Sequence, residues 1–382
     1  MSVSSARDPS SSLHRVARAR RWLAEVEREA RGEASATWPT LDTLDRERLA
    51  SAADRWKGRA RPDAPGPETP WKVRADAADE APTWRPGPPG TCALLAPGTQ
   101  LGSWEVLSEL GRGAYGSVYA ARHRVLGRRV AIKVLNARAS RDPDYPTRLE
   151  REARASNQVG HEAVVGVFDL GDDAGRPYLV MEHIPGRTLL KELEHRGPLA
   201  VHYALGLLRP IAEAVDEAHR VGVLHRDLKP ENVLLEPTSH GSRARLIDFG
   251  VASLPGDAEG SGAARSLVGT PRYMAPELVE GQPASPSTDL YGFGIMLYEL
   301  LVGRAPFSAK TPLDILWQHV SKLPPLPSEA SSRLPRCIDA GIMAMLAKDP
   351  AERPSSLVSA LERIERDLER AVVPAVPPLR LD

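Results

Sequence analysis

Cysteine is almost absent from this sequence of 382 residues: only Cys92 and Cys337 occur, far apart and without the spacing of metal ligands. This excludes a disulfide framework and favours a reducing, cytoplasmic compartment. Long apolar runs are missing too, since the longest candidate, 290–302, is short and contains Glu299. We therefore expect no membrane span. The N-terminus is rich in Ser and Arg but has no apolar signal core.

The sequence also lacks a net charge, because Lys and Arg total 50 and Asp and Glu total 50. No excess of positive charge is available to attract nucleic acid or an anionic membrane, so we expect neither as a partner. The apolar content, 42%, is that of a globular protein. The length suggests two or three units of ordinary domain size.

The first hundred residues carry no catalytic motif. Two amphipathic stretches within 1–61 predict either a small helical hairpin or a partly disordered arm. If the hairpin forms, it could bind a partner or a second copy of the chain. Residues 62–97 contain nine prolines and no sustained periodicity, which predicts an extended linker.

A glycine-rich loop, 111–116, follows the predicted strand 104–110 with the spacing GxGxxG. A dinucleotide-binding fold would continue with a helix. Here the next segments, 118–120 and 130–134, have the pattern of strands on either side of a turn at Gly127. The loop is therefore predicted at a hairpin tip, where glycines without Cβ let backbone N–H groups approach phosphates.

Lys133 lies inside the apolar run 130–134, and a lysine in such surroundings needs an anionic partner. The helix predicted over 147–159 offers two glutamates, Glu150 and Glu152. Glu152 lies on the less polar face of that helix, whereas Glu150 shares a face with other polar residues. We therefore predict that Glu152 pairs with Lys133.

A dense polar stretch, HRDLKPEN at 225–232, stands directly before the apolar residues 233–235. It combines two acids, three basic residues and an amide within eight residues. Pro230 prevents an ordinary helix or a central strand there. The pattern favours a rigid loop that points several polar groups toward one place.

Together with motifs elsewhere in the chain, this loop resembles the catalytic loop of the eukaryotic-like, bacterial-type Ser/Thr protein kinase family. The resemblance covers about residues 101–368. It rests on seven motifs in the family's order: the glycine loop with Val118, Ala131-Ile132-Lys133, the hinge-like 181–186, HRDLKPEN, Asp248-Phe249-Gly250, Ala275-Pro276-Glu277 and 349–354.

The resemblance implies an α+β fold, the two-lobed protein-kinase fold. Its small N-lobe is rich in β-strands and carries one key helix, and its larger C-lobe is helical. The implied boundaries are 101–181 for the N-lobe, 182–186 for the hinge and 187–368 for the C-lobe. A short helical or disordered arm precedes this domain, and a Pro-rich tail, 369–382, follows it.

The resemblance also implies catalytic roles for four residues. Asp227 would accept the proton of the substrate hydroxyl, and Lys229 would reach the phosphate being transferred. Lys133, braced by Glu152, would hold the phosphates of ATP. Lys229 matches the form of the loop found in Ser/Thr-directed members of the family.

Metal and nucleotide sites follow from the same resemblance. Asn232 and Asp248 would hold Mg²⁺, with Mn²⁺ as an alternative ion. Hinge backbone groups at Glu182 and Ile184 would face the adenine. The full set of implied nucleotide-binding residues is Gly111, Arg112, Gly113, Ala114, Gly116, Val118, Ala131, Lys133, Met181, Glu182 and Ile184.

Three residues are given structural roles by the resemblance. Asp289 would hold the backbone of the catalytic loop, and Arg353 would pair with Glu277. From the local sequence alone, Thr288 or Asp289 is expected to cap the helix that follows.

Two further predictions concern local structure. The polar residues 236–245 are expected to be only a longer hairpin tip. Pro210 falls in the middle of a helix predicted over 203–220, where it should kink the helix or cost roughly 3 kcal/mol.

Regulation is predicted around Arg226, which directly precedes Asp227. A guanidinium fork is well matched to a phosphate group. In the segment before the APE motif, Ser266 is the leading predicted phosphorylation site and Ser261 the second. Thr270 is assigned to the wall that faces the substrate.

We therefore predict an ATP- and Mg²⁺-dependent Ser/Thr protein kinase that acts on protein substrates and is activated by phosphorylation of this segment. One alternative is a catalytically weak signalling scaffold of the same fold, which should have lost Lys133, Asp227 or Asp248. A second alternative is a small-molecule kinase, which would usually lack the segment that ends at 275–277. All of these residues are present.

Overall fold

The structure is a computed structural model that describes residues 95–113, 116–135, 145–173, 175–239, 241–248 and 270–372. The predicted arm 1–61, the predicted linker up to residue 94 and the tail beyond residue 372 lie outside this range. Predictions made for those three segments remain predictions.

The first part of the described chain is an antiparallel sheet of six strands with one helix. The strands are β1 (Gln100–Leu101), β2 (Trp104–Arg112), β3 (Gly116–His123), β4 (Arg129–Leu135), β5 (Val167–Asp172) and β6 (Pro177–Glu182). Their order in the sheet is β1-β2-β3-β4-β6-β5. Helix α1 (Tyr145–Val159) lies between β4 and β5 in the chain.

Both faces of this sheet are apolar, and they belong to separate clusters. Ile132 packs on one face, whereas Ala131 packs on the other with residues of α1. Because side chains alternate along a strand, Lys133 shares the face of Ala131. The alternation of β4 therefore turns Lys133 toward α1.

The second part is mainly helical and includes a sheet of three short strands. The strands are β7 (Arg187–Thr188), β8 (Val233–Thr238) and β9 (Gly241–Leu246). The helices are α2 (Leu189–Arg196), α3 (Val201–Arg220), α4 (Pro276–Val279), α5 (Pro286–Val302), α6 (Pro312–Ser321), α7 (Pro327–Ala330), α8 (Asp339–Met345) and α9 (Leu357–Val372). This arrangement, a β-rich lobe followed by a helical one, confirms the predicted α+β, two-lobed fold. None of the helices in the described ranges could cross a membrane by length and apolar character.

Helix α5 is the centre of the helical lobe, with every residue from Thr288 to Leu301 buried. It begins one turn earlier than the sequence predicted. Ser285 is its N-cap, and the Ser285 N–H donates to Thr288 Oγ1 at 3.0 Å. Pro286 occupies the first helical position, where its fixed φ favours the helix. The expectation that Thr288 or Asp289 would be the cap was therefore wrong, which leaves the Asp289 carboxylate available for other contacts.

The polar stretch 236–245 is also more ordered than predicted. Instead of a long hairpin tip, it forms half of β8 and most of β9, which pair down to Thr238 and Gly241. Ala244 and Leu246 are buried, which anchors β9 against the lobe. Arg245 between them is buried as well, so β9 lacks the alternation of buried and exposed residues by which a strand is predicted from sequence.

Helix α3 continues through Pro210 without interruption. A proline removes the hydrogen bond to the carbonyl four residues earlier, here Gly206. Gly206 is exposed, and no heavy atom among the described residues lies within 4 Å of the place where its Cβ would stand. Because a glycine has only backbone atoms, part of the Gly206 backbone is open to water, and the helix accommodates the proline without a break.

Candidate active site

The catalytic-loop backbone is held by one buried carboxylate on α5. Asp289 accepts hydrogen bonds from the N–H of His225 at 2.8 Å and from the N–H of Arg226 at 2.6 Å. His219 Nε2 lies 2.8 Å from the same carboxylate. Burial alone would raise the pKa of Asp289, but these hydrogen bonds and the nearby imidazoles lower it. Arg226 has φ of 64°, a left-handed conformation that a non-glycine residue keeps only when its surroundings fix it.

Asp227 lies at the centre of a polar cluster. Its carboxylate accepts a hydrogen bond from Lys229 Nζ. Asn232 Nδ2 donates to the Asp227 carbonyl at 2.8 Å and to its carboxylate at 3.1 Å. Lys229 also donates to Thr270 Oγ1 at 2.9 Å. An acid, a cation and an amide of the loop are thus brought together with the hydroxyl of Thr270, which lies 41 positions beyond Lys229 in the sequence.

Lys133 forms two ion pairs. Its Nζ lies 2.8 Å from Glu152 Oε1 and 2.9 Å from Asp248 Oδ1. The contact with Glu152 is the one that the helix register predicted. Burial by itself lowers the pKa of Lys133, but the charges of Asp248 and Glu152 outweigh it and raise the pKa. This lysine therefore stays protonated.

Lys133 lowers the pKa of both carboxylates, but the net shifts of the two have opposite directions. Burial raises the pKa of Glu152 to about 8, although Lys133 opposes the shift. For Asp248, burial works in the same direction, but the charge of Lys133 prevails and the pKa is lowered. Asp248 thus keeps its negative charge, as a metal ligand requires.

The glycine loop is a hairpin tip between β2 and β3, as predicted, with Gly113 N donating to Gly116 O at 2.8 Å. A Cβ on Gly116 would stand 2.2 Å from Val134 O, so no other residue fits there. Around Gly111, no heavy atom of the described chain lies within 4 Å of a Cβ position. Among the described residues, the space beside Gly111 is therefore open. Arg112 is exposed and pairs with Glu109 at 3.1 Å.

An apolar wall lies between the sheet and the hinge. Of the predicted nucleotide-binding residues, Val118, Ala131, Met181 and Ile184 belong to one cluster. Ala131 and Met181 are directly paired across β4 and β6. Glu182 ends β6 and begins the hinge. The structure therefore gathers these residues from four segments.

Sequence reasoning missed two members of this wall, Leu234 and Ile247, which pack against the same cluster. Leu234 follows the catalytic loop on β8, and Ile247 precedes Asp248. Their proximity to two predicted motifs was the signal that could have identified them.

Glu277 and Arg353 form a buried, two-pronged ion pair with distances of 2.7 and 2.8 Å. Thr288 Oγ1 donates to Glu277 at 3.1 Å, and Arg353 donates to the Ser287 carbonyl at 2.7 Å. The pair therefore ties the APE motif and the start of α5 to the segment before α9.

Several predicted residues lie outside the described ranges: Ala114, Phe249, Gly250, Ser261 and Ser266. Their assignments stay predictions.

The arrangement fits a magnesium ion. The side-chain nitrogen of Asn232 donates to Asp227, which leaves the side-chain oxygen Oδ1 of Asn232 for a metal. Asp248 has a second carboxylate oxygen besides Oδ1. Ile247 N donates to Asn232 O at 2.9 Å, which keeps the two segments together. Within the described ranges, no cluster of three or more His, Cys, Asp or Glu could hold a metal. Mg²⁺ needs few protein oxygens when phosphates supply others.

The known proteins that this chain is similar to agree with this interpretation of the site. The family model described as protein kinase domain matches residues 104–364. The serine/threonine-protein kinase Pkn1 of Myxococcus xanthus is 36% identical over 263 residues, which cover 69% of this chain and 38% of that protein. The serine/threonine-protein kinase PkaA of Streptomyces coelicolor is 40% identical over 268 residues, which cover 67% of this chain and 48% of that protein. The chain thus spans less than half the length of these relatives.

Among solved structures, the kinase domain of PknI from Mycobacterium tuberculosis superposes with a TM-score of 0.57 and 28% sequence identity. The superposition covers 72% of this chain and 100% of that domain.

Proposed function

The chain belongs to the protein kinase family, and from this premise we propose that it transfers the γ-phosphate of ATP to Ser or Thr hydroxyls of proteins. The observation that carries the proposal is a pair of polar clusters: Lys133 with Glu152 and Asp248, and Asp227 with Lys229 and Asn232. The backbone hydrogen bond from Ile247 N to Asn232 O links the segments that carry them.

In the proposed reaction, the Asp227 carboxylate orients the incoming hydroxyl and accepts its proton. A positioned base of this kind contributes roughly 10²–10⁴-fold to a rate. Lys229 neutralises charge beside Asp227 and holds Thr270, the proposed wall of the substrate site. Lys133, kept protonated by its two carboxylates, binds phosphate oxygens.

Asn232 and Asp248 would hold Mg²⁺, or Mn²⁺ as the alternative. When bound, the ion would supply positive charge that offsets the charge of the phosphates. The open space beside Gly111 would accommodate the phosphates against the loop, and the apolar wall with Met181 and Ile184 would take the adenine.

The test is transfer of label from γ-labelled ATP to a generic basic protein, followed by identification of the modified amino acid. We expect phosphoserine or phosphothreonine from the wild-type chain, and no label from Lys133→Met. A wild-type protein that binds ATP without transferring label would favour the scaffold alternative. Label found on tyrosine would contradict the proposed specificity.

We also propose that phosphate on the segment before the APE motif raises activity, with Ser266 the leading site and Ser261 the second. The Arg226 backbone is fixed by Asp289 directly beside Asp227, and the Arg226 guanidinium has the geometry that binds phosphate. Mass spectrometry of active protein and kinetics of Ser266→Ala and Ser261→Ala test this. An unmodified double variant with full activity would contradict it.

We also propose a location and partners for this protein. The paucity of cysteine favours a cytoplasmic location, and the partners are protein substrates. Association through the predicted N-terminal helices is a further proposal, which sedimentation of the full chain and of a chain lacking residues 1–61 would test.

A further inference from the structure

Arg245 is a charged residue that the proposed reaction does not use, and it lies on β9 with only 7% of its side chain exposed. Its Nη2 donates to Glu182 Oε2 at 2.5 Å and to the Val164 carbonyl at 3.4 Å. Its Nη1 donates to Glu236 Oε2 at 3.2 Å. One guanidinium therefore joins the first residue of the hinge, the segment before β5 and strand β8.

The same hairpin contacts the other end of the hinge. Gly186 has φ of 141°, and a Cβ there would stand 2.0 Å from Leu235 O on β8. Arg187 then pairs with Leu235 as β7 begins. The short hinge between Glu182 and Arg187 is thus held at both ends by β8 and β9.

Strand β9 also fixes the segment that leads into β5. Leu246 N donates to Ala163 O at 2.6 Å, and Val165 N donates to Leu246 O at 2.9 Å. The Glu182 backbone in turn donates to Gly166 O at 2.9 Å. Arg245 therefore lies where the hinge, the entry to β5 and the C-lobe hairpin meet.

The chemistry of this junction requires arginine. A guanidinium offers donors in a planar fork that can serve two carboxylates and a carbonyl at once, which a lysine ammonium does not match in geometry. Glu236 is also bound by the more exposed Arg243 at 2.8 Å. Of these two arginines, only Arg245 forms an ion pair with Glu182. Removing the Arg245 charge would leave Glu182 without this contact but keep Glu236 paired.

We propose that Arg245 is a positioning residue for the nucleotide: through the Glu182 side chain it sets the hinge backbone against which adenine binds. The inference rests on the proposed function and on the predicted contact of adenine with backbone groups of Glu182 and Ile184. Arg245 itself touches no reacting atom. Its loss should therefore weaken adenine binding and leave the phosphate-transfer groups at Asp227 and Lys133 in place.

The experiment compares the full-length chain with Arg245→Met, Arg245→Lys and the matched control Arg243→Met. Kinetics give KM for ATP, kcat and KM for a generic protein substrate. Calorimetry gives the binding of adenosine and of tripolyphosphate. Thermal unfolding of each variant is recorded in parallel.

For Arg245→Met we expect KM for ATP to rise about tenfold and adenosine affinity to fall by a similar factor, as for loss of one charge-assisted hydrogen bond. kcat should stay within about twofold, and both tripolyphosphate binding and KM for the protein substrate should be unchanged. Arg245→Lys should recover part of the affinity. Arg243→Met should match the wild type.

Glu182→Gln is the second variant, and it keeps the test valid if Arg245→Met does not fold. It should weaken adenosine binding, and a double variant with Arg245→Met should be no weaker than the worse single variant. Additive effects would overturn the proposal. So would a lowered unfolding temperature with unchanged adenosine affinity, which would make Arg245 a stabilising residue only.

The two proposals fail in different ways. If the wild type binds adenosine but transfers no phosphate, the proposed function fails while the adenosine comparison still tests Arg245. If the wild type transfers phosphate and the variants keep normal adenosine affinity, only the inference about Arg245 fails.

Discussion

Two partly buried lysines show how surroundings decide the behaviour of a side chain. Lys133 lies between two carboxylates, and its pKa is raised. Lys348 instead has aromatic neighbours: its Nζ lies 4.6 Å from the Phe307 ring centre and donates to the His319 carbonyl at 2.6 Å. Burial first, and then the charge of Arg353, lower the pKa of Lys348 to about 7. The same residue type therefore serves as a permanent cation in one lobe and titrates near neutrality in the other.

This contrast gives a prediction for stability. The pKa of Lys348 is about 7 in the folded chain and 10.5 ordinarily, so the unfolded chain binds the proton more tightly. Below pH 7 the cost of burying the charge is complete, and it disappears as pH rises toward 10.5. The free energy of unfolding of the wild type should therefore rise from pH 7 to 9 relative to Lys348→Met, by at most roughly 1.4 kcal/mol per pH unit.

Urea unfolding at pH 7, 8 and 9 measures this difference. Lys322→Met, which removes the same charge from an exposed position, is the control and should track the wild type. Parallel curves for the wild type and Lys348→Met would show that Lys348 does not titrate in this range.

At the scale of elements, the sequence predicts contacts that depend on one strand or one helix. The period of β4 turns Lys133 toward α1, and the register of α1 selects Glu152 over Glu150. The junction at Arg245 could not be predicted in this way. It needs β8, β9 and the hinge to meet in space, and β9 lacks the alternation of buried and exposed residues by which a strand is predicted from sequence.

The early start of α5 shows a second limit. Ser285, Thr288 and Asp289 can all cap a helix in isolation. Asp289 binds the catalytic-loop backbone instead, a contact across 63 to 64 positions of sequence. The choice among local caps was thus decided by a distant contact, which local propensity does not contain.

The glycine loop gives a prediction that separates structural from functional glycines. Gly116→Ala places a Cβ 2.2 Å from the Val134 carbonyl, so β3 and β4 must separate, and we expect a loss of about 1–3 kcal/mol of unfolding free energy. Gly111→Ala meets no heavy atom within 4 Å in the described chain, so its stability should change by less than about 1 kcal/mol.

For ATP binding, the expected effect of Gly111→Ala is the opposite of its small effect on stability. A Cβ on Gly111 enters the space proposed for the phosphates, so KM for ATP should rise although the fold is intact. Urea unfolding and ATP kinetics of both variants provide the check. An equal loss of stability in the two variants would contradict the assignment of these roles.

At the scale of the whole molecule, the residues of the site lie between Gly111 and Arg353, and the family match covers 104–364. No residue of the proposed mechanism precedes this range. We therefore predict that a chain beginning at Ala96 keeps its activity on a generic protein substrate within about tenfold of the full chain. A larger loss, more than roughly 1.4 kcal/mol in activation free energy, would mean that the N-terminal residues hold the catalytic domain active.

The central claim is that Asp227 orients the hydroxyl and accepts its proton, and Asp227→Asn tests it most directly. The amide keeps the size of the side chain and can still accept from Lys229, so the loop should keep its shape. Phosphate transfer and ATP binding are measured on the same preparation of the full chain. The account predicts that transfer falls by a factor of about 10²–10⁴ while ATP affinity stays close to that of the wild type. Turnover equal to that of the wild type would contradict it.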